Sequence, residues 1–420
     1  MALLAALGAL LGACVHTPSA SPLEPAATLA RFNARALGGL APELPAPSLG
    51  WDRSQWLSAA LRLNPQLAEE RAEVVAAAAA ERTAAKRPNP SMELFAEYTA
   101  AAAQSAAWLY GLSLDFLLRQ PGERERTRQQ AALQTALPQS QLAESIWRVR
   151  AALRQALLDT VAARAETQSL IKERQGLLDS DRARLQLGDL ARTQLLGDEL
   201  ELARVRQRAQ QSHVRGVDAR ARLGAAVGVP SSALAAAEVR WEDWAAIDAL
   251  DTAAADRWRT QALIARPQPA YAWGGAAVHE DALGAISTES ALGVSFELPL
   301  LNQHQGPIGE ALARRVAAGE HLKAVQAQIY AEIDRAELAW PAVRQGRQDM
   351  QALATLAEQQ SEAEQRALHE GASDRASVLV AQITATEARL SVLEAAYAAQ
   401  VAFGTLEDAY HRPLQGDEES

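Results

Sequence analysis

The sequence predicts a mainly α-helical protein with a small β part, built as a duplicated helix–strand–strand–helix–helix repeat. Composition is the first reason: Ala, Leu, Gln, Glu and Arg dominate, as they do in long helices, and only 5% of the residues are aromatic. The second reason is a set of internal echoes between the two halves of the chain. The third is short segments in which apolar and polar residues alternate, as in strands with one apolar and one wet face.

Three pairs of similar segments occur in the same order in each half and indicate a tandem duplication. The pairs are "ALRLNP" (60–65) with "ALIARP" (262–267), "GLSLDFLL" (111–118) with "GVSFELPL" (293–300), and "LQLGDLARTQLL" (185–196) with "LHEGASDRASVL" (368–379). Chance similarity between Ala-rich helices could produce one such match, but three matches in the same order argue against chance. We predict repeat 1 at 51–228, an equatorial linker at 229–255, repeat 2 at 256–411 and a C-terminal tail at 412–420.

The only cysteine, Cys14, directly follows the apolar run Ala2–Leu11 and the residues Gly-Ala. That run has the length of a signal-peptide apolar region and is shorter than the ~20 residues of a membrane-spanning helix. The chain then turns polar and Pro-rich. A small residue in a buried segment is the alternative, but the pattern favours a lipobox. It predicts a signal peptide at 1–13, an acylated Cys14 and a lipid-anchored N-terminal tether at 14–50, although the first basic residue is Arg31.

Strands are the only predicted route into a membrane, since no segment after the signal region has about 18 apolar residues without charges. The alternation in "SMELFAEYTA" (91–100) and "WLYGLSLDF" (108–116) suits a barrel strand and an ordinary half-buried hairpin equally well. Two such hairpins cannot close a membrane barrel, whose minimum is ~8 strands, and lipid does not tolerate open edges. A spanning sheet therefore requires several chains, and three copies supply twelve strands.

Long helices are predicted at 122–188 and 306–371, each reversing at a glycine turn. Apolar residues recur along them every three to four positions, so we expect them to pack side by side as a coiled-coil-like wall. Pro138 and Pro341 are expected to interrupt and kink these helices.

The duplicated plan, the lipobox, "WLYGLSLDFLLRQPGERERTRQQA" and "ELPLLNQHQGPIGEA" resemble the TolC-type outer-membrane efflux family over roughly residues 51–411. The last segment is similar to the heavy-metal (CzcC-like) RND branch, in which a strand ends in a Pro-Leu-x-Asn-x-x-x-Gly turn. The resemblance implies a homotrimer with an outer-membrane β-barrel continuous with a periplasmic α-helical barrel. It also implies a passive duct that exports metal ions or small toxic compounds with a periplasmic adaptor (membrane fusion) protein and an inner-membrane RND pump.

The resemblance also assigns residues to the far turns, which meet the adaptor in this family. Arg184, Leu185 and Gly188 match an Arg-aromatic-x-x-Gly pattern with Leu in the aromatic place, and Leu368 and Gly371 match part of it. Acids just past the turns and on the wet strand faces are hypothesised to line the pore and tune cation passage. They are Asp189, Asp374, Glu93, Glu97, Asp115 and Glu297. For either turn acid alone, an ordinary solvated turn is the competing interpretation.

Enzymatic chemistry is not predicted. The seven histidines form no HExxH pair, and the chain has no Walker loop, no GxGxxG after a strand and no GxSxG, so we expect neither a catalytic site, a cofactor nor a metal site. His304 in the turn "NQHQG" is interpreted as a turn residue rather than a ligand. The net charge of −10, with acids and bases interspersed, argues against nucleic acid as a partner.

One departure from the repeat leaves a second function open. The Ala-rich stretch between Pro65 and Pro90 has no counterpart between Pro267 and Pro269, which predicts a truncated first helix in repeat 2. An apolar face of the final helix, at residues 390–397, should then lose this partner and need another cover, either a shifted helix or a second protein. The alternative to a duct is therefore a degenerate, lipid-anchored periplasmic helical module that does not conduct.

Overall fold

The structure is a computed structural model that describes residues 24–37, 50–87, 89–98, 108–115, 122–163, 167–235, 237–240, 255–265 and 305–414. The signal peptide, Cys14, the strand predicted at 293–300 with Glu297, the turn at His304 and the segment 267–269 lie outside these ranges. The elements are α1 (Pro25–Asn33), α2 (Arg53–Leu63), α3 (Pro65–Ala84), β1 (Ser91–Tyr98), β2 (Trp108–Asp115), α4 (Glu123–Ala162), α5 (Thr167–Leu187), α6 (Arg192–Val227), a 3₁₀ turn (Ser231–Leu234), α7 (Ala255–Ala265), α8 (Gln305–His369) and α9 (Arg375–Tyr410).

Helices in the two halves of the chain agree in length. Both α2 and α7 have 11 residues, and both α6 and α9 have 36. The 65-residue α8 ends at a glycine turn, as α5 does in the first half. The similar segments around the two glycine turns lie in these elements, whereas 293–300 is outside the described residues.

Local signals explain where the first helices begin. Asp52 and Gln55 form a capping box at α2: the Asp52 carboxylate accepts from the Gln55 backbone N–H (2.9 Å), and Gln55 Oε1 accepts from the Asp52 N–H (3.0 Å). Asn64 caps α3, whose first residue is a proline, and its side-chain amide donates to the Ala226 carbonyl of α6 (2.8 Å). The cap of one helix thus fixes the end of another.

Both internal prolines lie within continuous helices. Helix α4 extends through Pro138 and α8 extends through Pro341. The predicted interruption is therefore wrong, because a proline removes one backbone hydrogen bond and leaves the many others of a long helix in place.

The helices pack as antiparallel pairs along extended seams. Helix α8 pairs with α9, α5 with α6, and α3 with α4, while α9 also packs against α4 and α5. One buried cluster surrounds Trp51, Trp56 and Leu157, and a second surrounds Ile333 and Phe403. Hydrophobic burial is therefore distributed along the helical seams rather than gathered in one compact core.

The final helix is covered along the face that the sequence predicts to need another cover. Leu390 is 6% exposed and Ala396 is 1% exposed, and Val392, Leu393 and Tyr397 pack against buried clusters. This face therefore has cover within the chain, because α4, α5 and α8 all contact α9. Whether repeat 2 has a truncated first helix depends on residues outside the described ranges and stays a prediction.

A buried ion cluster joins α4 to the end of α9. The Arg154 guanidinium donates to Glu407 Oε2 (3.0 Å), to the Gly404 carbonyl (3.0 Å) and to Asp408 Oδ2 (2.5 Å). Glu407 is only 3% exposed, and Arg150 lies 4.0 Å from it. Burial raises the pKa of Asp408, while the charge of Arg154 acts in the opposite direction.

The N-terminal segment before repeat 1 is attached to it. Leu37 is 2% exposed within the cluster of Trp51 and Trp56. Arg35 Nη1 donates to the carbonyls of Leu63 (3.2 Å) and Gly228 (2.8 Å), which lie at the ends of α2 and α6. Part of the predicted tether therefore docks on these helix ends.

None of the described helices is long and apolar enough to span a membrane.

Candidate docking tips and the groove between them

The first candidate tip is the turn between α5 and α6. Gly188 has φ +84°, a left-handed conformation that side chains with a Cβ rarely adopt. The N–H of Gly188 donates to the Leu185 carbonyl (3.1 Å), and the N–H of Asp189 donates to the Arg184 carbonyl (2.9 Å). This is a Schellman motif, in which the last carbonyls of α5 find partners and the chain reverses.

The second candidate tip, between α8 and α9, repeats this geometry. Gly371 has φ +75°, its N–H donates to the Leu368 carbonyl (3.1 Å), and the N–H of Ala372 donates to the Ala367 carbonyl (2.7 Å). Leu187 before the first glycine is 77% exposed, and Leu368 is 39% exposed. The tip residues predicted from the sequence therefore occupy two equivalent turns. Leu185, which matches Leu368 in position, is half-buried, and the exposed leucine of the first tip is Leu187.

An open groove of about 430 Å³ lies between the two hairpins, close to the tips. Each of the four hairpin helices contributes to its lining. The charged groups that line it are Asp181 and Arg184 from α5, Asp198 from α6, Glu364 from α8, and Asp374 at the start of α9. The structure therefore brings the predicted residues Arg184 and Asp374 together, while Asp189 is exposed and is not among the lining residues.

Asp374 also has a structural task. It is the N-cap of α9, and hydrogen bonds from the backbone N–H (2.7 Å) and side chain of Ser377 hold the pKa of its carboxyl below the ordinary value. The nearby guanidinium of Arg184 acts in the same direction. Asp374 is therefore negatively charged at neutral pH and faces a cation from the other hairpin.

A carboxyl pair behind the first tip is not predicted from the sequence. Asp181 on α5 and Asp198 on α6 line the same groove, Asp181 is only 2% exposed, and the interaction with Asp181 adds to burial in raising the pKa of Asp198. The two residues lie at similar distances before and after the Gly188 turn. Folding the predicted hairpin about that glycine would have revealed the pair.

The predicted pore acids of the first hairpin share one face of the two-stranded sheet. Directly opposite residues project to the same side, and the antiparallel register pairs Glu93 with Ser113, Phe95 with Gly111, Glu97 with Leu109, and Ser91 with Asp115. Glu93 is exposed, and the ring of Phe95 lies directly over Gly111, where a Cβ would meet it at 2.0 Å. The backbone positions of the predicted pore acids therefore fall on one side of the sheet.

Within the ranges that the structure describes, no group of three or more His, Cys, Asp or Glu side chains is arranged to hold a metal ion.

Solved outer-membrane proteins share this architecture. The outer membrane protein VceC from Vibrio cholerae has 14% identity and a TM-score of 0.65 over 86% of this chain and 97% of its own. The CmeC outer membrane channel from Campylobacter jejuni has 12% identity and a TM-score of 0.62 over 96% and 95%. CusC, whose structures concern folding and transmembrane channel formation, has 15% identity and a TM-score of 0.67 over 94% and 99%.

No family model matches the chain, and no curated protein matches it in sequence. At the level of the fold, the structural similarities confirm the TolC-type architecture that the sequence predicts: long helical hairpins with a small β part.

Proposed function

We propose that this protein is the outer-membrane channel component of a tripartite, RND-type efflux system. It would act as a passive duct for metal ions or small toxic compounds. The observation that carries this proposal is the pair of equivalent tips beside one groove, at the ends of two hairpins in a fold that spans 97% of VceC and 99% of CusC. Such coverage favours a channel subunit over a degenerate module.

A homotrimer is part of the proposal. The sequence predicts four strands in one chain, which is too few to close a barrel in the outer membrane. On the helices, apolar side chains that lack cover within the chain recur at helical spacing, such as Ile308, Leu312 and Val316 on α8, which are 55–66% exposed. Exposed apolar stripes of this kind are typical of surfaces that meet another protein or another copy.

The tips are the proposed contact with a periplasmic adaptor, through which an inner-membrane RND pump would drive export. The lipid anchor at Cys14, the location in the bacterial outer membrane and the heavy-metal branch belong to the same proposal. The resemblance of the sequence supports them, and selection of the exported compound would rest with the pump.

The wild-type chain extracted in mild detergent is expected to be a trimer that retains β-sheet signal on heating. The Cys14→Ser variant should also be a trimer, since the proposed strands hold the assembly, but it should incorporate no labelled fatty acid. Native mass spectrometry, circular dichroism and metabolic lipid labelling measure these properties. A monomeric variant that leaves the membrane once the lipid is lost would instead favour the non-conducting module, and equal labelling would exclude the lipobox.

Replacing Gly188 or Gly371 with Val is expected to weaken docking of a co-expressed adaptor. Both glycines have positive φ, and a Cβ added at either would have no atom within 4 Å. The cost of about 1–2 kcal/mol therefore comes from the backbone and redirects the tip. In-cell cross-linking to the adaptor should fall while membrane insertion is retained.

Gly346→Val is the matched control for this experiment. Gly346 lies inside α8, also has nothing within 4 Å of an added Cβ, and has no positive φ. Its variant should cross-link as the wild type does. Undiminished cross-linking in both tip variants would mean that these turns are not the docking surface.

A further inference from the structure

The carboxyl pair Asp181–Asp198 is held in a position where two negative charges are unfavourable. Asp181 on α5 is 2% exposed, and Asp198 lines the same groove from α6. No donor within the described residues reaches the buried Oδ2 of Asp198. Because an ionised carboxylate only accepts hydrogen bonds, a close contact between two of them requires a proton on one.

The surrounding charges do not neutralise the pair. From α5, Arg184 lies 3.4 Å from Asp181 Oδ1, and Arg174 acts on Asp198 while its Nη2 binds Glu387 of α9 (2.6 Å). From α6, Glu201 adds negative charge and is itself paired with Arg204. Across the groove, α8 presents Glu364, and the start of α9 presents Asp374. Arg174 is shared with Glu387 and Arg184 is shared with Asp374, so neither arginine serves the carboxyl pair alone.

We propose that Asp181 and Asp198 share a single proton, and that the resulting hydrogen bond holds α5 against α6 next to the first tip. Loss of this proton then destabilises the first tip but not the second. The protonated pair is a hydrogen bond between the two helices. The doubly ionised pair places two like charges in contact on adjacent helices, where their repulsion opposes packing.

The expected direction with pH follows from the same contact. Burial, and then the contact with Asp181, raises the pKa of Asp198 above its ordinary value of 3.8. The folded hairpin therefore binds the proton more tightly than the unfolded chain does, so the contribution of the pair to stability decreases as pH rises from 3.8 through the raised pKa. The local stability of the first tip should therefore be higher in acid than at alkaline pH.

The second hairpin is an internal control within the same molecule. Counted from the tip glycines, Asp181 corresponds to Glu364, and Asp198 corresponds to Ala381. Glu364 accepts a hydrogen bond from the Ser373 hydroxyl (2.6 Å) and has no carboxylate opposite it at the matching position. The two hairpins thus share a turn geometry, but only the first has the carboxyl pair.

Hydrogen–deuterium exchange of the full-length protein in detergent tests whether the two carboxyls share a proton. The peptides to compare cover 182–200 at the first tip and 365–383 at the second, between about pH 4 and about pH 8. The ratio of the exchange rates of the two peptides within one sample cancels the intrinsic pH dependence of exchange. We expect protection of the first tip relative to the second to fall roughly tenfold with rising pH.

Asp198→Asn replaces the shared proton with a permanent amide donor and should reduce that change to about twofold or less. Asp181→Asn changes the other carboxyl of the pair in the same way, and it replaces the first variant if that variant does not fold. Asp179→Asn, at an exposed α5 acid paired with Arg182, should keep the wild-type response. A pH-independent ratio in the wild type, or an unchanged response in the Asn variants, would overturn the proposal. Neither export nor an adaptor enters the measurement, so the proposed function stands or falls separately.

Discussion

Replacing Arg154 with Ala is expected to lower the free energy of unfolding by about 3–5 kcal/mol. Removal of the guanidinium takes the nearer cation from Glu407, which is 3% exposed and keeps Arg150 at 4.0 Å, and it removes the 2.5 Å contact with Asp408. Breaking one side of a buried ion cluster is costly because the remaining charges stay desolvated. Denaturant titration followed by helical circular dichroism measures the loss.

Arg182→Ala is the matched control for this prediction. Arg182 also bridges two helices, through Glu199 at 3.2 Å, but both side chains are more than 40% exposed. Its loss should change stability by about 0.5 kcal/mol or less, since water replaces the partner. If the two variants lost the same stability, burial would not be what makes the Arg154 cluster important.

Gly228→Ala is expected to cost about 3 kcal/mol or more, because it combines left-handed backbone strain with a steric clash. Gly228 has φ +87°, and a Cβ there would lie 2.5 Å from the Leu63 carbonyl oxygen and 2.7 Å from Pro65 Cδ, at the junction of α2 and α3. Because the Gly228 carbonyl also accepts from Arg35, the N-terminal segment should lose protection from proteolysis at the same time.

Gly188→Ala separates these two causes. Its φ of +84° is nearly the same, but no atom lies within 4 Å of the added Cβ, so only the strain of about 1–2 kcal/mol remains. Thermal unfolding of both variants gives the comparison. Equal losses would mean that the junction yields to the added methyl group without cost.

Features that depend on local chemistry were predictable from the sequence. A glycine at the end of a long helical pattern has few roles other than a left-handed cap, so the pattern alone predicts the turns at Gly188 and Gly371. The shared face of Glu93, Glu97 and Asp115 followed from the two-residue period of a strand.

Features that depend on contacts between distant segments were not predictable in this way. Arg154 meets Glu407 across 253 positions of sequence, and no local pattern indicates that contact. The face at Leu390 was expected to need another cover, and the sequence could not tell that α4, α5 and α8 provide it. Periodicity identifies which face of a helix is apolar but not which helix will cover it.

The two tips lie at the ends of helices that the structure describes over different lengths. Helix α8 is one helix of 65 residues, about 98 Å long, and it ends at the second tip, whereas α5 has 21 residues, about 32 Å, and ends at the first. Asp181 lies seven residues before Gly188, which is about 10 Å along the helix. A change in the charge of Asp181 therefore acts at the end of the first hairpin rather than along its length.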